Sequence, residues 1–380
     1  MITEKMLREL TSRGNSVRTP LYIVNQDNLR ENIYLLRKAL ESRFDRFVIG
    51  YSNKTNGADP VLQTIAECGA WAEVVSHKEY FQALKYFDPG HIIYNGVIPD
   101  FFGKFLVLES GGIVNIENFT ELEAVNRKAE ELGRVLRLGI RINVSLEGHP
   151  ASRFGIRVTD ETLNTIRSMN NIIVNGIHCH ITKSRDLESW SEKSYKMAEI
   201  AKLLDVDYID LGGNMYGPMC PSVKKRYDNV PSFQDYADCI YRSMHQVFGD
   251  NIPCIVVEPG TAIVANAQSY VSRILDIKSI DGRSLVTLDG KGSDVETFVN
   301  PVDRFPYIII SCSGNYIENA TVYGCTCTEF DIFISSCSGR MGVGGLIAFD
   351  NVGAYSNSLA PDFIQSYPPF ESFSDNAGFK

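Results

Sequence analysis

Short apolar runs alternate with helix-like stretches along the chain up to about residue 265, and this alternation restricts the fold more than any other feature. Leu21-Tyr22-Ile23-Val24 reads as a strand, followed by a helix over 28–44 that Asp27 can cap. Phe47-Val48-Ile49-Gly50-Tyr51-Ser52 returns to strand character and delivers Lys54 just past its C-terminal end. Further strands are predicted over 72–75, 92–94, 105–107, 112–115, 138–143, 174–179, 208–211 and 254–258. Helices are predicted over 59–66, 77–86, 119–131, 160–168, 188–204 and 232–247; in the third of these, Leu122, Val125 and Ala129 share one stripe. A parallel strand needs a crossover to return the chain, so at least eight such strands over about 240 residues predict an α/β TIM barrel. A doubly wound open sheet is the alternative use of the same alternation.

Beyond residue 265 the texture changes. Runs over 270–277, 284–288, 307–312, 321–322 and 346–349 are short, β-branched or aromatic, and separated by Gly, Asp, Asn and Ser. They predict a C-terminal antiparallel β domain. The 380 residues suffice for two cores: a barrel over 28–265 and a β domain over 266–380, which residues 1–27 are expected to join. A 44% apolar and 22% charged composition predicts a chain folded nearly throughout. The net charge of -9 opposes a nucleic-acid or anionic-membrane partner, leaving room for a local basic pocket. Nine dispersed cysteines, no signal-like start and no run near the roughly 20 apolar residues of a membrane span predict a cytoplasmic protein.

The polar residues at predicted strand ends are where a barrel would build a site. Lys54 alone reads as a surface charge. His178 and His180, two apart in an extended run, point the same way; no further cluster at zinc-site spacing accompanies them, so no metal is expected. Gly212-Gly213 can turn backbone N–H groups toward one dianion without Cβ crowding, and Asn214 tolerates the left-handed region better than most residues. Glu258 ends an apolar run, where an unpartnered carboxylate would be costly.

In this order the motifs resemble the fold-type III pyridoxal-5′-phosphate-dependent decarboxylases, which include the ornithine and diaminopimelate decarboxylases. Tyr51-Ser52-Asn53-Lys54-Thr55-Asn56 is similar to the family's Tyr-Ala-Val-Lys-Ala-Asn, which implies that Lys54 holds the cofactor with a partly deprotonated amine. Gly176-Ile177-His178-Cys179-His180-Ile181 implies His180 against the pyridine ring, and Asp210-Leu211-Gly212-Gly213-Asn214 resembles the phosphate loop. Val257-Glu258-Pro259-Gly260-Thr261 implies Glu258 at the pyridine nitrogen. Arg141 resembles the barrel-strand arginine near lysine and phosphate, and Ser152-Arg153-Phe154-Gly155 the Ser-Lys-Phe-Gly element. Tyr323-Gly324-Cys325-Thr326-Cys327-Thr328-Glu329-Phe330-Asp331 puts Cys327 at the catalytic cysteine, which crosses a homodimer interface to protonate the carbanion. Cys325 alternates onto the same strand face, so motif register alone selects Cys327. Asn351-Val352-Gly353-Ala354-Tyr355 implies that Tyr355 reaches the phosphate from the neighbouring subunit.

The resemblance spans Lys54 to Tyr355 and implies a decarboxylase acting on a small amino-acid-like substrate, with catalytic Lys54, His180, Glu258 and Cys327. Departures bear on the anion and side-chain readers. Thr182-Lys183 replaces a Gly-Ser pair, so Thr182 or Ser184 would supply the hydroxyl. Thr261 replaces an arginine, so its hydroxyl, Arg141 or another cation must compensate. Thr328 follows the cysteine where the family has aspartate or glutamate, with Glu329 one residue out of register. In the segment 300–307 Phe305 takes the place of a carboxylate-binding arginine and Arg304 is displaced by one. Ordinary diaminopimelate or ornithine decarboxylation, racemisation, and a catalytically silent regulatory homologue are the alternatives.

Overall fold

The computed structural model describes residues 2–150, 152–297, 302–310 and 314–379. The chain opens with α1 (Glu4–Arg13), β1 (Leu21–Asn25) and α2 (Gln26–Glu41). Then follow β2 (Phe47–Ser52), α3 (Asp59–Glu67), β3 (Trp71–Val74), α4 (His77–Ala83), β4 (Ile92–Tyr94), α5 (Phe101–Glu109), β5 (Ile113–Ile116) and α6 (Phe119–Glu131). Next come β6 (Leu136–Arg141), α7 (Asp160–Arg167), β7 (Ile172–His178), α8 (Leu187–Leu204), β8 (Tyr208–Asp210), α9 (Pro221–Lys224), α10 (Phe233–Phe248) and β9 (Cys254–Val257). Strands β2 to β9 close into a barrel, every neighbouring pair parallel, with Phe47 of β2 opposite Ile255 of β9 at the seam. This is the TIM barrel that the alternation predicts. Among the described residues no helix is long and apolar enough to cross a membrane.

Two local expectations are overturned. Residues 105–107 lie inside α5 rather than in a strand: apart from Lys104 the stretch 101–108 has no polar side chain and so no clear period, and the cap decides, the Asp100 side chain accepting from Gly103 N at 2.9 Å. The cap of α2 is Asn25, whose Oδ1 accepts from Asp27 N and Asn28 N at 3.1 Å. Asp27 instead accepts from Asp375 N at 2.7 Å, tying the start of α2 to the C-terminal segment.

After α11 (Thr261–Val264) come β10 (Gln268–Ile280), β11 (Arg283–Leu288), β12 (Tyr307–Ile310), β13 (Asn315–Tyr323), β14 (Ile332–Met341), β15 (Leu346–Phe349), α12 (Ser356–Leu359), β16 (Phe370–Ser374) and β17 (Gly378–Phe379). With β1 they form a nine-stranded sheet in the order β14-β13-β11-β10-β1-β16-β17, β15 pairing with β10 and β12 with β15. The sheet is mostly antiparallel but mixed, because β1–β16 and β11–β13 run parallel. Strand β14 escapes the sequence reading since its Ser335-Ser336-Cys337-Ser338-Gly339 stretch is polar and half of it faces solvent. The end of the predicted 307–312 run lies outside the described residues.

The barrel interior is closed by one aromatic. Tyr208 projects inward from β8, and its hydroxyl donates to Asn115 Oδ1 at 2.8 Å. The ring fits because β7 is bare at Gly176, where a Cβ would stand 1.9 Å from the ring. Gly176→Ala should therefore cost about 1–3 kcal/mol of stability through overpacking. Urea denaturation would read that loss, and Tyr208→Leu in the same background should recover part of it. An undisturbed midpoint for Gly176→Ala would show that the ring is free to move.

Candidate active site

Each strand end contributes to one connected polar layer at the C-terminal mouth of the barrel. Lys54 follows β2 in a single helical turn, and its Nζ lies 2.9 Å from Glu73 Oε2 on β3. Glu73 Oε2 also accepts from Ser52 Oγ at 2.6 Å, and its Oε1 from Asn95 Nδ2 at 3.2 Å. Asn95, just past β4, donates from the same amide to Glu258 Oε1 at 2.6 Å, and Asn115 of β5 donates to Asn95 Oδ1 at 2.9 Å. Of these six residues all but Lys54 are within a few per cent of full burial; the Lys54 side chain is 40% exposed through the cavity it lines.

Burial favours the neutral amine at Lys54, but the Glu73 and Glu258 carboxylates outweigh it and hold the pKa above that of an ordinary lysine. The expectation of a partly deprotonated amine thus fails for this arrangement: two facing carboxylates keep the ammonium. Burial alone would also raise the Glu258 carboxyl. The His178 ring at 3.4 Å, a hydrogen bond from Asp210 and the Lys54 ammonium reverse that and hold it well below the carboxylate range. Asp210 goes the other way, pushed far upward by burial and then by the Glu258 charge, so the proton shared by these acids rests on Asp210. His178, Asp210 and Glu258 bring their donor atoms within 4.8 Å of one another, an acid–imidazole cluster that linear spacing around the two histidines does not reveal.

His180 forms a wall of the cavity. Its Nδ1 accepts from Gly213 N at 3.1 Å, and burial, then the Lys54 charge, push the ring down to about 3, so the imidazole is neutral. The glycine pair is needed for close approach: a Cβ at Gly213 would stand 2.3 Å from the Glu258 carbonyl, and Gly212, at φ +64, lies under the His180 ring. Asn214 adopts φ +74, as its chemistry allows. Beneath this loop a fully buried lysine, Lys193 of α8, donates to Leu211 O at 2.8 Å, and burial pushes it down to about 8.

Lys54, His180, Gly213, Asn214, Glu258, Thr261 and Tyr355 meet around a cavity of about 260 Å³. Thr182, Lys183 and Arg185 of the β7–α8 loop line it as well, the last two unanticipated. A wider groove of about 980 Å³ runs along α8 outside the barrel, away from every strand-end carboxylate. Tyr355, at φ +62, donates its backbone N–H to Thr55 O at 2.9 Å and so reaches its own chain's cavity, not a neighbour's. Arg141 does not line the cavity; it pairs with Glu117 at 3.0 Å and lies over the Phe154 ring. Ser184 is buried beside Asn214, its Oγ donating to Ile181 O at 2.9 Å, and does not line the cavity.

Cys327, Thr328 and Glu329 are not brought to this cavity. They are exposed in the bends and turn between β13 and β14, so the strand alternation expected of Cys325 and Cys327 does not exist there. Cys325 is half-buried, its N–H donating to Gly290 O at 2.8 Å. Arg304 is paired with Glu296, outside the cavity, and Asn300 and Pro301 of its segment lie outside the described residues.

Residues 29–265, well over half of the chain, match the family described as pyridoxal-dependent decarboxylase, pyridoxal binding domain. The chain belongs to this pyridoxal-dependent decarboxylase family. A diaminopimelate decarboxylase of Helicobacter pylori J99 is 26% identical over 370 residues, covering 91% of this chain and 88% of that protein. The crystal structure of H. pylori diaminopimelate decarboxylase complexed with L-lysine superposes with a TM-score of 0.81 at 25% identity, covering 98% of this chain and 95% of that one. The Methanocaldococcus jannaschii enzyme shares the fold, with a TM-score of 0.83 at 24% identity over 97% of this chain and 90% of that one.

Pyridoxal phosphate is the family's cofactor, and the residues present fit it. The cavity offers an amine, a neutral aromatic wall and an ionised buried carboxylate. It also has a glycine turn that would be filled by any Cβ.

The low His180 pKa has a measurable consequence. Between about 6.5, the ordinary histidine value, and about 3, the unfolded chain binds a proton that the folded ring refuses. Stability is thus fully present above that window and lost as pH falls through it. Urea midpoints should drop between about pH 6.5 and 5, where most carboxylates are still ionised, and His180→Phe should flatten the slope. Parallel slopes for both proteins would contradict a buried neutral ring.

Proposed function

We propose that this decarboxylase removes the α-carboxylate of an amino acid or substituted diamino acid, releasing an amine and carbon dioxide, with Lys54 holding the cofactor. One observation carries the reading: an amine, a neutral imidazole and a buried ionised carboxylate converge on a single cavity. Pyridoxal phosphate, when bound, supplies an aldehyde that captures amines and a ring that takes up the electron pair of the breaking Cα–carboxylate bond. Glu258 would keep the ring nitrogen protonated through a charge-assisted hydrogen bond, and Asn95 and Asp210 hold that carboxylate in place. His180, neutral in the cavity wall, would cover one face of the ring without adding charge. Glu73, 2.9 Å from Nζ, would hold the Lys54 amine in position for the cofactor aldehyde.

Cys327 would return a proton to Cα after carbon dioxide leaves. Its exposure outside its own chain's cavity supports a two-fold assembly in which each β13–β14 loop completes the partner's site. Phe330, 78% exposed three residues farther on, supports the same contact. Beside Lys54 the cavity adjoins a groove of about 920 Å³ lined by Ser76, Glu79, Gln82 and Asn357, wide enough for substrate and a neighbouring loop.

The names of the relatives and the L-lysine in the H. pylori structure favour a diamino acid, with diaminopimelate the leading specific candidate. Thr261, Thr328 and the engaged Arg304 alter the contacts expected for its distal carboxylate, so a modified diamino acid fits equally well. Screening amino acids and substituted diamino acids for carbon dioxide release decides among them. Inversion of configuration without carbon loss would instead make the chain a racemase.

Lys54→Ala should abolish both the visible absorption of cofactor-loaded protein and carbon dioxide release; retention of both would sink the assignment of the amine. Lys54→Ala and Cys327→Ala, each nearly inactive in amine production, should recover roughly a quarter of wild-type activity when subunits are exchanged, because half the dimers then hold one intact site. No recovery in exchanged dimers would remove the shared site.

A further inference from the structure

We infer that Arg185, in the β7–α8 loop, seats the phosphate of the cofactor. This rests on the reading that the cavity takes pyridoxal phosphate, and it goes beyond it by assigning the cation. Four positive side chains besides Arg185 lie in or around the cavity, and each is spent or unsuited. Lys54 is held by Glu73 at 2.9 Å and Arg141 by Glu117 at 3.0 Å. Lys193 sits fully buried behind the glycine loop with its ammonium on Leu211 O. Lys183 lines the cavity but is exposed to water on a flexible stem.

Arg185 differs on each count. It is half-buried, lines the cavity, and makes no ion pair among the described residues. Its Nε donates to Asn214 Oδ1 at 3.0 Å, which leaves the two terminal guanidinium nitrogens without a protein acceptor among the described residues. The group is nonetheless fixed in place. Its guanidinium carbon lies 5.3 Å from the centre of the Tyr216 ring, and its backbone carbonyl accepts from the Tyr236 hydroxyl. Asn214 is anchored in turn, donating from Nδ2 to Ile181 O at 3.1 Å and to Ser184 Oγ at 3.3 Å.

An immobilised guanidinium with its fork free is suited to bidentate capture of an oxyanion. The tether to Asn214 selects the anion: it binds the cation to the glycine loop, whose Gly213 and Asn214 line the same cavity. A phosphate at that loop would meet the fork, and Thr261, whose side chain cannot supply charge, lines the same space. The cation that the sequence lacks at the end of β9 is thus supplied from the loop after β7.

Cofactor-free wild type and Arg185→Gln can each be titrated with pyridoxal phosphate and, separately, with pyridoxal, following visible absorption. The variant should bind the phosphate ester about tenfold or more weakly, as expected for loss of a charge-assisted pair, and bind pyridoxal within about twofold of wild type. Unchanged pyridoxal binding also shows that the variant is folded. Thr261→Arg in the Arg185→Gln background should recover most of the ester affinity. Unchanged ester affinity, or equal losses for both ligands, would overturn the inference while leaving the cofactor reading intact. Wild-type protein that takes up neither ligand would overturn the cofactor reading itself.

Discussion

The structure turns on keeping one carboxylate ionised where water is nearly absent. Glu258 is 5% exposed at the end of β9, and an isolated charge there would either take up a proton or unfold the mouth of the barrel. Its neighbours divide the task. Asp210 on β8 carries the proton, His178 on β7 and Lys54 beyond β2 attract the charge, and Asn95 beyond β4 donates directly. Because these groups come from both sides of the seam, the chemistry depends on the barrel being closed.

The same carboxylate couples the two ends of the cavity. Glu258 and Glu73 together hold Lys54 as an ammonium, and that ammonium in turn helps keep His180 neutral. Positive charge is kept at Lys54 and at Arg185 of the β7–α8 loop, and the uncharged His180 ring lines the same cavity. Such an arrangement suits a ligand with an electrophilic carbon near one end and an anion at the other.

The β domain also takes part in the site. Asn56, two residues beyond Lys54, donates to Gln268 Oε1 at 2.8 Å and to Gly353 O at 2.9 Å, and accepts from Asn357 Nδ2 at 2.9 Å. This buried amide network joins the end of β2 to the segment carrying Tyr355, so the tyrosine arrives from the second domain with its backbone already tied to Thr55. Strand β1, central in that sheet between β10 and β16, adds the N-terminal segment to the same clamp.

Linear order was enough to read the barrel, since a period of strand then helix has few ways to bury both faces, and the resemblance of short motifs picked out Lys54, His180, Gly212-Gly213 and Glu258. Those residues sit in short motifs whose chemistry is local. Glu73 was visible only as a polar break in Ala72-Glu73-Val74-Val75, and Asp210 only as the first residue of its loop motif. Nothing in either segment states that Glu73 faces Lys54 or that Asp210 shares a proton with Glu258. Those facts arise because closure sets β3 against β2 and β8 against β9, and burial then makes protonation depend on the neighbour. Tertiary structure likewise brought Tyr355 to its own chain's cavity, engaged Arg141 with Glu117, and placed Arg185 beside Asn214. Sequence by itself determined which chemical groups are available; the packed barrel decided which of them carry charge and which face one another, because both depend on distances across strands that the linear chain does not contain.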